Sequence, residues 1–148
     1  MFGDGLYNIV REREQGMKTL RDDIFSYVTE KYGSEIEYLW ERYPTYGVFR
    51  RNDNRKWYGI VMNVSKRKLG LNSDDCLDIM NVKINDVAYL DYLTTQNGFF
   101  PAYHMGKSSW VSVSLDGSVP LSAIYPLIDM SYDAVAPTIK KKREKKQK

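Results

Sequence analysis

Residues Asn97–Pro120, NGFFPAYHMGKSSWVSVSLDGSVP, contain the strongest indication of the fold. Residues 109–115 alternate between apolar and other side chains, the two-residue period of a strand with one face in the core. An earlier strand is predicted near 99–103, with a turn at 105–108 between the two. Asp116-Gly117 ends the second strand, and Ser118 and Pro120 are typical of a helix start. The stretch therefore predicts a β-hairpin that leads directly into a final helix.

The chain before this stretch contains further helix and strand patterns. Apolar residues three and four positions apart predict an amphipathic helix over 19–32, with Thr19 as N-cap and Gly33 as its end. The other predicted elements are a short helix within 6–15, strands at 36–41, 46–50, 57–64 and 76–84, a helix near 87–96, and a final helix reaching Val135 and kinked at Pro126. This order predicts an α+β domain of two layers, with an antiparallel sheet of about five strands and helices packed on one face. The other face is predicted to be open to solvent or to a partner.

Composition indicates a globular protein with one domain. The chain has 148 residues, of which 43% are hydrophobic, and no apolar run approaches the roughly 18 residues of a membrane span. The first residues lack the basic and apolar segments of a secretory signal. The single cysteine, Cys76, cannot form an internal disulfide, which favours the reducing cytoplasm.

Charge is distributed unevenly along the chain. Residues 140–148 carry seven basic side chains and one acidic side chain, a net charge of +6, whereas residues 1–139 carry −3. We therefore predict an N-terminal extension at 1–17, a folded domain at 18–136 and a disordered basic tail at 137–148. Binding to nucleic acid through bulk charge would depend on the tail.

Several motifs occur in an order that resembles the MmcQ/YjbR family across about residues 18–134. They are YGVFRRNDNRKWYGIVM (46–62), DIMNVK (78–83), GFFPAYHM (98–105), WVSV (110–113) and LDGSVP (115–120). The resemblance implies a fold like those of CyaY and the type III secretion chaperones. It also implies DNA binding through two wings made of β-hairpins, without a catalytic motif. Gly59 and Pro126 depart from the alanine-like and ordinary helical residues that we expect at those positions.

The candidate DNA-binding residues lie mainly in two basic loops. The full set comprises Arg50, Arg51, Arg55, Lys56, Lys66, Arg67, Lys68, Lys107, Trp57, Trp110 and His104. A strand of about eight residues separates the two loops by roughly 26 Å, so they cannot form one compact patch. Contacts of this kind would give weak, salt-sensitive binding to phosphates.

Two alternatives to DNA binding remain open. The alternation of side chains places Trp57 and Trp110 on the face opposite the core positions. With Tyr103 they could pack against a protein partner or a second subunit on the open sheet face. His104 is the one candidate general base near neutral pH, but no nucleophile or orienting acid accompanies it in the sequence. One histidine and one cysteine do not make a usual zinc site. The sequence therefore predicts a non-enzymatic cytoplasmic protein without cofactor, metal or membrane association, with DNA binding as the leading function.

Overall fold

The computed structural model describes residues 19–138. The predicted extension at 1–17, including the short helix at 6–15, and the tail beyond residue 138 lie outside the described residues.

Within this range the chain forms three α-helices and one five-stranded sheet. The elements in order are α1 (Leu20–Tyr32), β1 (Gly47–Arg50), β2 (Trp57–Ser65), a one-turn 3-10 helix (Lys66–Leu69), β3 (Cys76–Lys83), α2 (Val87–Thr94), β4 (Phe99–Pro101), β5 (Trp110–Ser114) and α3 (Leu121–Ala134). The predicted α+β fold with an antiparallel sheet is confirmed.

The strand order determines which loops are neighbours. It is β1-β2-β3-β5-β4, with every pair antiparallel. Lys83 at the end of β3 pairs with Trp110 at the start of β5, and Asn81 pairs with Ile60 near the start of β2. The β1–β2 loop and the β4–β5 loop consequently lie at the same end of the sheet. The 3-10 turn after β2 lies at the opposite end.

The prediction of a strand at 36–41 is wrong. Only Glu37 pairs with β1, through hydrogen bonds of 2.8 and 2.9 Å with Val48. The chain then leaves the sheet edge and crosses the sheet face, where Trp40 and Tyr46 pack against buried aliphatic side chains. On this path two large rings cover apolar area of the sheet, which stabilises it.

The face of the sheet that carries the helices contains the main hydrophobic core. Ile24 and Val28 of α1 and Ile124 and Ile128 of α3 are fully buried against the sheet. Ser131 on α3 satisfies two backbone groups of the sheet, because its hydroxyl donates to the Tyr58 carbonyl at 2.6 Å and accepts from Lys83 N–H at 2.8 Å. Pro126 lies inside α3, as predicted from the sequence.

A carboxylate network joins α1 to α3. Asp129 accepts hydrogen bonds from the Tyr27 hydroxyl at 2.8 Å, the Tyr32 hydroxyl at 2.6 Å and the Lys31 ammonium at 3.0 Å. Burial acts to raise the pKa of Asp129, but these hydrogen bonds outweigh it and hold that pKa below its ordinary value. Tyr27 also stacks on Tyr125, with ring centroids 4.0 Å apart. The network adds polar and aromatic contacts to the packing of α1 against α3.

The opposite face is not open, contrary to the prediction. It contains a second buried cluster, made of Val48, Ile60, Met62, Val64, Leu77 and Ile79. Partly buried side chains cover this cluster: Trp40 and Tyr46 from the segment before β1, Tyr103 and Met105 from the β4–β5 loop, Trp57 from β2 and Leu69 from the 3-10 helix. A second subunit is therefore not needed to bury these aliphatic residues.

Gly59 is required by the packing on the helix-bearing face. A Cβ at this position would lie 2.0 Å from the fully buried Phe49 ring. The alanine-like residue expected here does not fit unless Phe49 moves.

Candidate ligand-binding cleft

The covering segments leave a cleft of about 330 Å³ on this second face. We call it the aromatic cleft; it is lined by Trp40, Tyr43, Tyr46, Trp57, Ile60, Met62, Tyr103, His104 and Met105. Its volume lies near the lower limit of ordinary small-molecule sites, which are about 300–1,000 Å³. A ligand with one or two rings would fill it.

An irregularity in the β1–β2 ladder directs Trp57 into the cleft. Phe49 pairs with Gly59, but the next residue, Arg50, pairs with Trp57, so Tyr58 is an extra residue in β2. Such a bulge reverses the side-chain alternation beyond it. Trp57 and Ile60 therefore line the same cleft, and the predicted alternation of Trp57 away from Ile60 is wrong.

One wall of the cleft comes from the segment before β1. The Trp40 ring meets the Trp57 ring edge-on at a centroid distance of 5.7 Å and the Tyr46 ring at 6.0 Å. Tyr43 stacks on Tyr46 at 4.8 Å. Burial raises the pKa of Tyr46, so its hydroxyl stays protonated at neutral pH. Sequence reasoning missed these three residues, although Tyr38, Trp40, Tyr43 and Tyr46 form a dense aromatic run.

The β4–β5 loop forms the opposite wall and is held by buried polar groups. The Ser112 hydroxyl donates to the Asn81 side chain at 2.5 Å and accepts from Tyr103 N–H at 2.9 Å. The Asn81 amide donates to the Tyr103 carbonyl at 2.8 Å. Both ends of the Tyr103 residue are thereby fixed to the sheet, and the wall is preorganised.

His104 lies at the exposed rim of the cleft. Its backbone has φ of 60°, and its ring rests against Tyr103 with a centroid distance of 3.9 Å. Its side chain makes no hydrogen bond within residues 19–138. The His104 imidazole is therefore accessible at the rim of the cleft.

The arginines predicted to bind DNA already have intramolecular partners. Arg50 and Arg55 each contact one oxygen of Glu37, at 3.0 and 2.9 Å. Arg51 donates two hydrogen bonds to Asp53 and lies 3.9 Å from the Tyr132 ring centroid. The hydrogen bond from Arg51 lowers the pKa of Asp53 to about 2. These contacts reduce the positive charge that the β1–β2 loop offers to phosphates.

The remaining predicted residues are dispersed. Arg67 pairs with Asp74 at 2.7 Å. Among these predicted residues, four lysines make no ion pair within the described part of the chain: Lys56, Lys66, Lys68 and Lys107. The sheet order brings Lys107 and the 50–56 loop to one end and leaves residues 66–68 at the other. Trp110 is partly buried at the start of β5 and does not line the aromatic cleft. A nucleic-acid role for all eleven residues stays a prediction.

Other kinds of site receive little support from the described residues. Cys76 is an exposed free thiol at the start of β3. Between residues 19 and 138, no group of three His, Cys, Asp or Glu side chains is placed to hold a metal ion. None of the helices in that range is long and apolar enough to cross a membrane.

The family to which the chain belongs follows from comparisons with known proteins. The model of the YjbR family matches residues 29–134. The uncharacterized protein YyaQ of Bacillus subtilis (strain 168) is 43% identical over 112 residues, which cover 76% of this chain and 94% of YyaQ. The uncharacterized protein YjbR of Escherichia coli K12 is 40% identical over 45 residues, which cover 30% of this chain and 38% of YjbR. The chain is a member of the YjbR family, as the sequence motifs predicted.

Solved structures support the same fold. The crystal structure of a Pseudomonas syringae protein aligns with a TM-score of 0.75 and 34% identity, covering 78% of this chain and 98% of that protein. A crystal structure from Deinococcus radiodurans aligns with a TM-score of 0.58 and 22% identity, covering 78% of this chain and 77% of that protein. The second likeness shows the fold alone.

Proposed function

We propose that this protein is a non-enzymatic, cytoplasmic binding protein whose ligand site is the aromatic cleft. One observation carries the proposal: a preformed concave site of about 330 Å³ walled by aromatic side chains. Concave apolar sites with a few polar groups are the usual places where proteins bind small molecules. The ligand would contribute an apolar or aromatic group of one or two rings.

The chemistry of the lining supports binding over catalysis. The lining of the cleft is almost entirely apolar, and its one imidazole, that of His104, is exposed at the rim. General-base catalysis needs the base within hydrogen-bond reach of the proton that it removes and is aided by an orienting acid. Within the described residues no acidic side chain hydrogen-bonds His104 to orient it, and no nucleophile lies in hydrogen-bond contact with it. We therefore assign His104 to ligand contact.

Two of the three tryptophans provide a direct test of this proposal. Trp40 and Trp57 line the cleft, whereas Trp110 does not. Titration of the full chain with phenylacetamide, monitored through indole N–H resonances, should shift the signals of Trp40 and Trp57 and leave Trp110 unchanged. Equal shifts of all three tryptophan signals would refute the cleft as the site. The absence of any shift at Trp40 and Trp57 at the highest phenylacetamide concentration would refute it too.

DNA binding is a second candidate, favoured by the arrangement of the two hairpin loops. The β1–β2 and β4–β5 loops lie at one end of the sheet, as two wings would, and contain the unpaired Lys56 and Lys107. Residues 19–138 nevertheless carry twelve basic and fifteen acidic side chains, whereas the tail at 140–148 carries +6. We therefore propose weak, phosphate-driven binding that depends mainly on the tail.

Fluorescence anisotropy distinguishes a tail effect from a true double-wing reader. The full chain and a chain lacking residues 139–148 should be titrated with single- and double-stranded DNA at two salt concentrations. We expect micromolar or weaker binding by the full chain and loss of most of it in the shortened chain. Tight binding by the shortened chain that survives raised salt would contradict the tail effect and favour the wings.

A further inference from the structure

The segments that build the aromatic cleft differ in charge from the rest of the domain. Residues 34–57 and 102–109 together carry six basic and four acidic side chains, a net charge of +2. The rest of residues 19–138 carries six basic and eleven acidic side chains, a net charge of −5. The segments that wall the cleft therefore carry a net positive charge, which would attract an anion.

The positive charge lies close to an aromatic wall. Arg50 and Arg55 share the same Glu37 oxygen, so two guanidinium groups are balanced by one carboxylate. The Arg50 guanidinium lies 5.8 Å from the centroid of the Trp57 ring, which lines the cleft. Arg55 is the more accessible of the two, with 55% of its side chain exposed against 25% for Arg50. One unbalanced positive charge thus stands beside the cleft.

We infer that the ligand of the aromatic cleft is a small molecule that combines a planar aromatic group with an anionic carboxylate or phosphate. Its ring would stack in the cleft against Trp57, and its anionic group would reach the Arg50–Arg55 pair. Arginine suits this role because its planar group hydrogen-bonds two oxygens of a carboxylate or phosphate at once. The inference rests on the proposed function and adds the chemical class of the ligand.

A cationic ligand is the main competitor. Aromatic cages bind quaternary ammonium groups through the negative faces of their rings. Beside this cleft Arg50 already lies over the Trp57 ring, and the lining segments add net positive charge. A second cation would be repelled, so the same rings favour an aromatic anion.

Four probes of similar size test the inference on the full chain. Phenylacetate is anionic, phenylacetamide is its neutral analogue, phenethylamine is cationic, and benzyl phosphate replaces the carboxylate by a phosphate. Affinities can be measured from Trp40 and Trp57 indole resonances. We expect phenylacetate to bind about three- to tenfold more tightly than phenylacetamide, with the difference shrinking as salt is added, and phenethylamine to bind most weakly. Comparing the affinities of benzyl phosphate and phenylacetate shows whether the site prefers a phosphate or a carboxylate.

Variants locate the charge effect at the arginine pair. Arg55→Gln should remove most of the preference for phenylacetate and leave phenylacetamide binding unchanged. Arg67→Gln is the matched control, because Arg67 is 57% exposed and also pairs with one acid, but at the opposite end of β2. It should change neither affinity. Glu37→Gln should act in the opposite direction and strengthen phenylacetate binding by a few-fold, because it removes the balancing carboxylate.

The outcomes separate this inference from the proposed function. If none of the four probes shifts Trp40 or Trp57, the cleft is not a ligand site and both proposals fail. If phenylacetamide or phenethylamine binds as tightly as phenylacetate, the cleft remains the site and the anionic class is wrong. Loss of the preference in Arg67→Gln, or its retention in Arg55→Gln, also overturns the assignment to the arginine pair.

Discussion

The two faces of the sheet are buried by different means. On one face α1 and α3 lie over a continuous cluster of eighteen buried residues. On the other face six buried aliphatic residues are covered by a turn-rich segment and a hairpin loop that contribute aromatic rings. The larger cluster will dominate stability, because apolar burial scales with the area removed from water.

This difference between the two faces indicates which of them has room for a ligand. Regular helices fill the space over the sheet, since side chains along their whole length interdigitate with it. Irregular segments meet the sheet at a few large rings, and the space between those rings is the aromatic cleft. Helix packing therefore stabilises the fold, and loop packing creates the candidate site.

The largest expected loss of stability is that of Ile124→Ala, which is compared with Ile60→Ala on the other face. Ile124 is fully buried on the helix-bearing face, and Ile60 is buried under the cleft. Ile124→Ala should lower the free energy of unfolding by about 3 kcal/mol, and Ile60→Ala by at least about 1 kcal/mol less, because its cavity merges with existing space. Urea unfolding measures both. Equal losses would remove the distinction between the faces.

A smaller loss of stability is expected when Gly59 is substituted, because the helix-bearing face has no spare room at that position. Gly59→Ala places a Cβ against the buried Phe49 ring and should cost about 2 kcal/mol. Gly106→Ala is the control, because no heavy atom lies within 4 Å of the position that its new methyl group would take, and its φ is not positive. That variant should be neutral or slightly more stable. An unchanged melting temperature for Gly59→Ala would show that Phe49 moves freely.

The Asp129 network gives the helix-bearing face a dependence on pH. Because the pKa of folded Asp129 is lowered, its stabilising contribution is complete above its unfolded pKa of about 4 and is lost as pH falls through the folded pKa. Asp129→Asn should cost about 1–2 kcal/mol at neutral pH and flatten the decline of stability in acid. Unfolding at several pH values tests this; an unaltered acid slope would exclude the network as its source.

The smallest effect on stability is expected at the cleft. Tyr43 is 46% exposed and stacks on Tyr46, so Tyr43→Ala should change the free energy of unfolding by no more than about 0.5 kcal/mol. It should nevertheless weaken phenylacetate binding several-fold. Tyr92→Ala is matched to it, since Tyr92 is 56% exposed and stacks on Tyr89 away from the cleft. That control should affect neither property; weakened binding in both variants would argue against a local site.

Local patterns were sufficient to predict most of the fold. The end of α1 at Gly33 follows from its left-handed φ of 66°, and the alternation over β5 placed Val111 and Val113 in the core. The family motifs agreed with the same order of elements. These features depend on neighbours in the sequence, so one sequence reveals them.

The candidate site was predicted much less well. The side of the sheet to which Trp57 points depends on one extra residue in β2, and such a bulge has no reliable sequence signal. The cover provided by Trp40 and Tyr46 depends on the path of a segment that touches the sheet edge at Glu37 alone. His104, in contrast, was identified from its residue type, although its exposed position at the rim was not.

The two edge strands of the sheet also influence whether molecules associate at high protein concentration. An unpaired outer strand is a template on which another chain can add, and natural proteins protect such edges. Here the outer strand β4 has only three residues and ends in Pro101, which has no N–H to donate, while Val48 of β1 has its outward groups bonded to Glu37. Both edges of the sheet thereby carry features that oppose intermolecular pairing. The aromatic cleft therefore opens on a molecule whose sheet edges are short and partly blocked, which disfavours growth of aggregates by strand addition.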